Sequence, residues 1–186
     1  FATIITIGDE LLIGQVVDTN SAWMAQQLNE AGILVKQRIS VGDNAADIVD
    51  ALNKAAASSS IVLITGGLGP TADDITKHLL CKYFNGNMVV HEASRQRVIK
   101  MFTRLKRPLL ERNLQQAEVP DVCTVIINKR GSAPGMVFSK NDKLFVSMPG
   151  VPHEMKGMMT DDVIPMLLKQ FNFPSICHKT LLTAGI

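Results

Sequence analysis

The stretch from Ile61 to Thr76, IVLITGGLGPTADDIT, limits the folds open to this chain more than any other. Ile61 to Ile64 are four consecutive β-formers and read as a buried strand, the kind found in parallel sheets covered on both faces. Gly66, Gly67 and Gly69 then supply a turn whose backbone a ligand can approach closely. Pro70 fixes one backbone angle, and Thr71 is a good N-cap for a helix. A helix N-terminus offers free N–H groups and partial positive charge, which suits a phosphate. Asp73 and Asp74, however, fall in the first helical turn, where they would repel a bare phosphate.

The first two-thirds of the chain repeats this strand-then-helix rhythm. Ala2–Ile7 is apolar and β-rich. Asn20–Ala31 carries Trp23, Met24 and Leu28 at helical spacing and ends at Gly32. Leu34–Val41 reads as a strand, Ala45–Ala57 as a helix, and Ala72–Phe84 as the helix after the glycine turn. Met88–His91 is a short strand and Ala93–Leu105 a helix. The alternation predicts an α/β fold with a parallel sheet between helical layers. The rhythm then changes. Cys123–Ile127, Met136–Ser139 and Lys143–Met148 read as short strands, the last two joined by a hairpin at Lys140-Asn141-Asp142. Pro152–Phe171 is a final helix that Pro165 should kink or split. Ile176–Thr183 reads as a further strand.

Composition excludes several classes. Of the 186 residues, 46% are apolar and 19% charged, an ordinary globular balance. A net charge of +2 does not point to nucleic acid, and the longest apolar runs fall short of a membrane span. Cys81, Cys123 and Cys177 are widely spaced and fit reduced cytoplasmic thiols rather than disulfides or a zinc site. His78, His91, His153 and His178 lack metal-ligand spacing. The basic set Arg95, Arg97, Lys100, Arg104, Lys106 and Arg107 reads as a solvated helix face or as a reach toward an anionic ligand.

Ligands of open α/β sheets bind beyond the carboxyl ends of the strands. Four loops leave the sheet there: Gly8-Asp9-Glu10, the glycine loop, Asn128 to Gly135 (NKRGSAPG), and Pro149 to Glu154 (PGVPHE). Each also has a plain structural reading. Asp9 and Glu10 can cap a helix, Asp18-Thr19-Asn20-Ser21 is dense in N-cap residues, and the other two loops are rich in turn formers. The glycine loop has three readings. It is a capping box between Thr71 and Asp74, a G-x-G-x-x-A dinucleotide turn with Glu92 as the ribose partner, or a phosphate site completed by a divalent cation on Asp73 or Asp74.

Taken together, ITIGDELLIGQVVDTN, TGGLGPTADDIT, NKRGSAPG and MPGVPHEM resemble, in order and spacing, the N-terminal domain of the competence/damage-inducible protein CinA family. That domain is similar to the molybdopterin-binding domains of molybdenum-cofactor biosynthesis proteins. The resemblance implies a three-layer α/β/α sandwich with a mostly parallel central sheet. It implies a domain over residues 1–171, with 172–186 as the start of a truncated linker or second module. Gly66, Gly67, Gly69, Pro70 and Thr71 would cradle phosphate, and Asp73 and Asp74 would hold the metal and share catalysis with Glu10. Asp9 would line the pocket, with Ser132, Pro134 and Gly135 as the opposite wall; Asn20, Gly150 and Glu154 complete the expected ligand-binding set. The activity implied is metal-dependent hydrolysis of a nucleotide-sugar pyrophosphate of ADP-ribose type, with Mg, Mn or Co. The alternative is a non-catalytic module holding molybdopterin or a similar phosphorylated pterin. A cytoplasmic homodimer or homotrimer is the expected state.

Overall fold

The computed structural model describes residues 1–69 and 75–173. Pro70, Thr71, Asp73, Asp74, Cys177, His178 and the strand expected over Ile176–Thr183 lie outside the described residues.

The elements run β1 (Ala2–Ile7), α1 (Asp9–Leu12), α2 (Thr19–Glu30), β2 (Val35–Val41), α3 (Ala45–Ser58), β3 (Ile61–Thr65) and α4 (Thr76–Tyr83). They continue with β4 (Met88–Val90), α5 (Glu92–Arg104), α6 (Glu111–Leu114), β5 (Glu118–Pro120), β6 (Thr124–Ile126), β7 (Gly135–Lys140) and β8 (Lys143–Met148). Helix α7 (Pro152–Met158), a π-helical turn (Met159–Val163) and α8 (Ile164–Gln170) follow. The main sheet has the order β2-β1-β3-β8-β7-β6. Strands β2, β1, β3 and β8 are parallel neighbours; β7 is antiparallel to both β8 and β6.

Burial explains the order. Every residue of β1 and β3 is buried, so these strands must sit in the middle with both faces covered. In edge strand β2 only Val35, Ile39 and Val41 are partly buried and the rest are exposed. Alternate residues of the central strands then feed two separate cores. Ile4, Leu63 and Val146 pack with Met24 and Leu28 of α2 and with Met155, Met158 and Leu167 of the C-terminal helices. Ile5, Ile64 and Phe145 pack with Ile48 and Leu52 of α3 and Leu80 of α4. The result is the expected α/β/α sandwich, with a mixed rather than wholly parallel sheet.

One expectation needs correction. Met88–Val90 does not join the main sheet; it pairs antiparallel with Glu118–Pro120 in a separate two-stranded ribbon. A short strand with two exposed residues has no second apolar face to bury between helical layers, so the strand-helix rhythm overcounted the sheet by one. The described part of the helix after the glycine loop starts at Thr76. The final helix is interrupted by the π turn just before Pro165, which removes the main-chain donor a regular helix would need there. The hairpin between β7 and β8 turns on Asn141 and Asp142, with φ of 52° and 58°. Both are residues that tolerate the left-handed region a tight hairpin requires.

Candidate functional site

The carboxyl ends of β1, β2, β3, β6 and β8 all point to one edge of the sheet, because β6 and β8 are each antiparallel to β7. The four loops converge there on a cavity of about 430 Å³, a volume suited to a small ligand. Ile7, Gly8 and Glu10 line it from the first loop, and Gly66, Gly67, Leu68 and Gly69 from the glycine loop. Ser132 and Ala133 come from the third loop, and Pro149, Gly150, Val151 and Glu154 from the fourth.

The glycine loop is held against its neighbours by main-chain contacts that leave no room for side chains. Gly66 has φ of 112°, and a Cβ there would lie 2.1 Å from the carbonyl oxygen of Ile7. The Gly66 N–H donates to the Met148 carbonyl at 3.2 Å, and the Thr65 hydroxyl donates to the Pro149 carbonyl at 2.8 Å. Gly150 lies beside Gly66, where an added Cβ would come 3.3 Å from the Gly66 Cα. Asn20 Nδ2 donates to the Gly150 carbonyl at 2.8 Å, tying α2 to the fourth loop. Asp18 caps α2 by accepting from the Ser21 N–H and hydroxyl, as the density of N-cap residues predicted.

Asn128 organises the third loop. Its Oδ1 accepts from the N–H groups of Arg130 and Gly131 at 2.9 and 2.8 Å. Its Nδ2 donates to the Ala133 carbonyl at 2.9 Å and to Glu154 Oε2 at 2.6 Å. The third loop is thus folded on itself and clamped to α7. Gly131 permits the clamp, since a Cβ there would meet the Glu154 carboxylate at 2.1 to 2.3 Å.

The expected site residues fall into three groups. Glu10, Gly66, Gly67, Gly69, Ser132, Gly150 and Glu154 meet around the cavity. Asn20 lines a smaller adjoining cavity of about 130 Å³, which shares Ile7, Glu10, Gly66 and Gly150 with the first. Asp9 is not on the cavity wall. Its carboxylate accepts from the Asp43 N–H at 3.0 Å while its own N–H donates to Asp43 Oδ2 at 3.2 Å. That reciprocal pair joins the turn after β1 to the turn after β2. Pro134 and Gly135 are buried behind the wall, and Gly135 opens β7 against Ile126 and Met158.

Asp43 and Gln116 line the cavity but were not anticipated. Asp43 follows the carboxyl end of β2, so the rule that selected the other loops applies to it as well. Gln116 comes from a single 3₁₀ turn, Gln115–Ala117, with no local pattern to single it out.

The electrostatics are one-sided. Glu10, Asp43 and Glu154 place three carboxylates on the wall, and the described lining residues include no Lys or Arg. At about 4 Å each carboxylate would oppose a phosphate charge by about 4 kcal/mol at an effective dielectric near 20. The carboxylates of the wall are hard oxygen ligands, the kind Mg²⁺ and Mn²⁺ prefer, and among the described residues no three acidic, His or Cys side chains cluster closely enough to hold a metal ion by themselves. Among the described residues, no helix is long and apolar enough to cross a membrane.

The sequence model of the family described as "Probable molybdopterin binding domain" matches residues 3–169. A CinA-like protein of Flavobacterium psychrophilum is 45% identical over 186 residues, all of this chain and 44% of that protein. The chain therefore spans less than half the length of that relative. CinA from Thermoplasma acidophilum superposes with a TM-score of 0.78 at 30% identity, over 91% of this chain and 96% of that one. The tungsten cofactor synthesizing protein MoaB from Pyrococcus furiosus gives 0.58 at 18% identity, over 90% and 94%, a likeness of fold. By a family match over nearly its whole length, the chain belongs to the probable molybdopterin binding domain family, in the branch of the CinA-like proteins.

Proposed function

We propose that the four-loop cavity binds a phosphorylated small molecule together with a divalent cation, and that it hydrolyses the pyrophosphate of an ADP-ribose-type nucleotide sugar. The observation that carries this reading is the pairing of a main-chain glycine cradle with carboxylates from three other segments, with no basic side chain on the described wall. Such a wall repels a bare phosphate and accommodates a cation-bridged one. Asp73 and Asp74 are the proposed metal ligands, and Mg, Mn or Co the proposed ions. When bound, the ion would polarise the phosphoryl group and offset its charge. Glu10, at the border of both cavities, is the proposed further ligand or general base. The glycine loop presents backbone to the phosphate, and the Asn128–Glu154 clamp fixes the opposite wall.

The test is AMP release. Incubated with ADP-ribose and Mg²⁺, Mn²⁺ or Co²⁺, the chain should yield AMP and ribose 5-phosphate, and Asp74→Asn or Glu10→Gln should lower the yield at least tenfold. Unchanged AMP release in both variants overturns the catalytic assignment.

A second reading is favoured by one observation. Two of the three described cavity carboxylates already accept hydrogen bonds, Asp43 from Asp9 and Glu154 from Asn128. A wall so engaged suits holding more than cutting. On this reading the module binds molybdopterin or a related phosphorylated pterin without turnover, consistent with the family name and with a MoaB-like fold. Pterin-phosphate binding that persists in EDTA, with no AMP release from ADP-ribose under any metal, selects it. The homodimer or homotrimer belongs to the proposal too; a monomeric mass by light scattering contradicts it.

A further inference from the structure

A second groove, of about 400 Å³, runs between α5 and the third loop. Its character is opposite to that of the four-loop cavity. Arg97, Lys100 and Arg104 line one side, and Lys129 and Arg130 the other. Spacings of three and four residues put the α5 cations on one stripe, where like charges oppose each other. Arg97 is committed to the loop, donating to the Asn128 and Lys129 carbonyls. Lys129 and Arg130 meet Asp161 and Asp162. Two carboxylates therefore face five cations, and among the described residues Lys100 and Arg104 have no acidic partner. Half-buried Met101 and Ile127 supply an apolar surface in the same groove. A merely solvated helix face needs neither a cavity nor a second basic wall.

We propose that this groove is a second ligand site, which takes a diphosphate group through Lys100 and Arg104. A nucleoside carried on that diphosphate would rest on Met101 and Ile127. The groove and the four-loop cavity both border the third loop, with Gly131 lining the first and Ser132 the second. Binding in the groove needs no metal, because its wall is already cationic.

The experiment is calorimetry of the intact chain with ADP and with pyrophosphate, in EDTA at low salt. Lys100 and Arg104 do not line the four-loop cavity, so their substitution reads the groove separately from it. Both probes should bind, and binding should weaken severalfold between 50 and 200 mM salt. Tighter binding of ADP assigns the source to a nucleotide; equal binding assigns it to free diphosphate. K100E/R104E should weaken either by at least tenfold, while K169E, on exposed Lys169 of α8, should leave it unchanged. Both altered side chains are solvent-exposed, so the fold should hold, checked by circular dichroism. No binding in EDTA, or equal affinity in K100E/R104E, overturns the site.

Discussion

Asn128 offers the sharpest test of how the site is built. It is 3% exposed and its side chain makes four hydrogen bonds, two accepted and two donated. Asn128→Ala removes all four. A hydrogen bond contributes about 0.5–1.5 kcal/mol net, and a buried acceptor left unpaired costs more. The Arg130 and Gly131 N–H groups lie in a partly exposed loop where water can replace the side chain. The carbonyl of buried Ala133 has no such recourse. The expected cost is about 3 kcal/mol, or a fall in Tm of roughly 6–12 °C for a domain of this size. Asn128→Asp separates shape from charge. It keeps an acceptor for the two N–H groups but sets a carboxylate against Glu154, which now lies 2.6 Å from the amide nitrogen. Two adjacent carboxylates in the folded state hold a proton more tightly than either does unfolded. The folded pair's pKa is raised, so the variant should be nearest wild type at low pH and lose stability as pH rises from about 4. Thermal melts from pH 4 to 7 measure both. A loss under 1 kcal/mol for Asn128→Ala, or no pH trend for Asn128→Asp, refutes the clamp.

Gly66→Ala forces a Cβ to within 2.1 Å of the Ile7 carbonyl oxygen at a φ of 112°; it should cost about 2 kcal/mol or more and abolish binding in the cavity, read by urea denaturation and calorimetry. The Cys123 thiol is pushed up to about 11, chiefly by burial, so site-resolved iodoacetamide labelling should stay slow at pH 8 and accelerate only near pH 11. Ser147 is fully buried and its hydroxyl has no hydrogen-bond partner among the described residues, so Ser147→Ala should be neutral or raise stability by about 1 kcal/mol, with a marked loss in a melt counting against it.

The sequence revealed most where one physical demand dominated. Ile61 to Ile64 had to form a doubly covered strand because four consecutive apolar β-formers offer no face to water, and the strand runs one residue further, to Thr65. Asn141 and Asp142 marked their hairpin because few other residues accept positive φ. Met88–Val90 misled because three β-formers state a local preference and nothing about which strand will pair with them. The site was legible as a list of loops, since the end of the sheet at which each emerges follows from alternation. Its internal wiring was not. Asp9 could be read as a wall residue because its partner, Asp43, is 34 positions away. Asn128 read as one more turn residue until the Glu154 carboxylate came within reach of its amide. Such contacts depend on register between distant segments, which local pattern does not encode.

The central claim is that a carboxylate-lined glycine cradle holds its phosphorylated ligand only through a divalent cation. The direct measurement is calorimetric titration of ADP-ribose into K100E/R104E, which silences the basic groove, in Mg²⁺ and then in EDTA, repeated with Glu10→Gln added. Binding present in Mg²⁺, lost in EDTA and weakened at least tenfold by Glu10→Gln is the predicted result. Equal affinity with and without the metal contradicts the account.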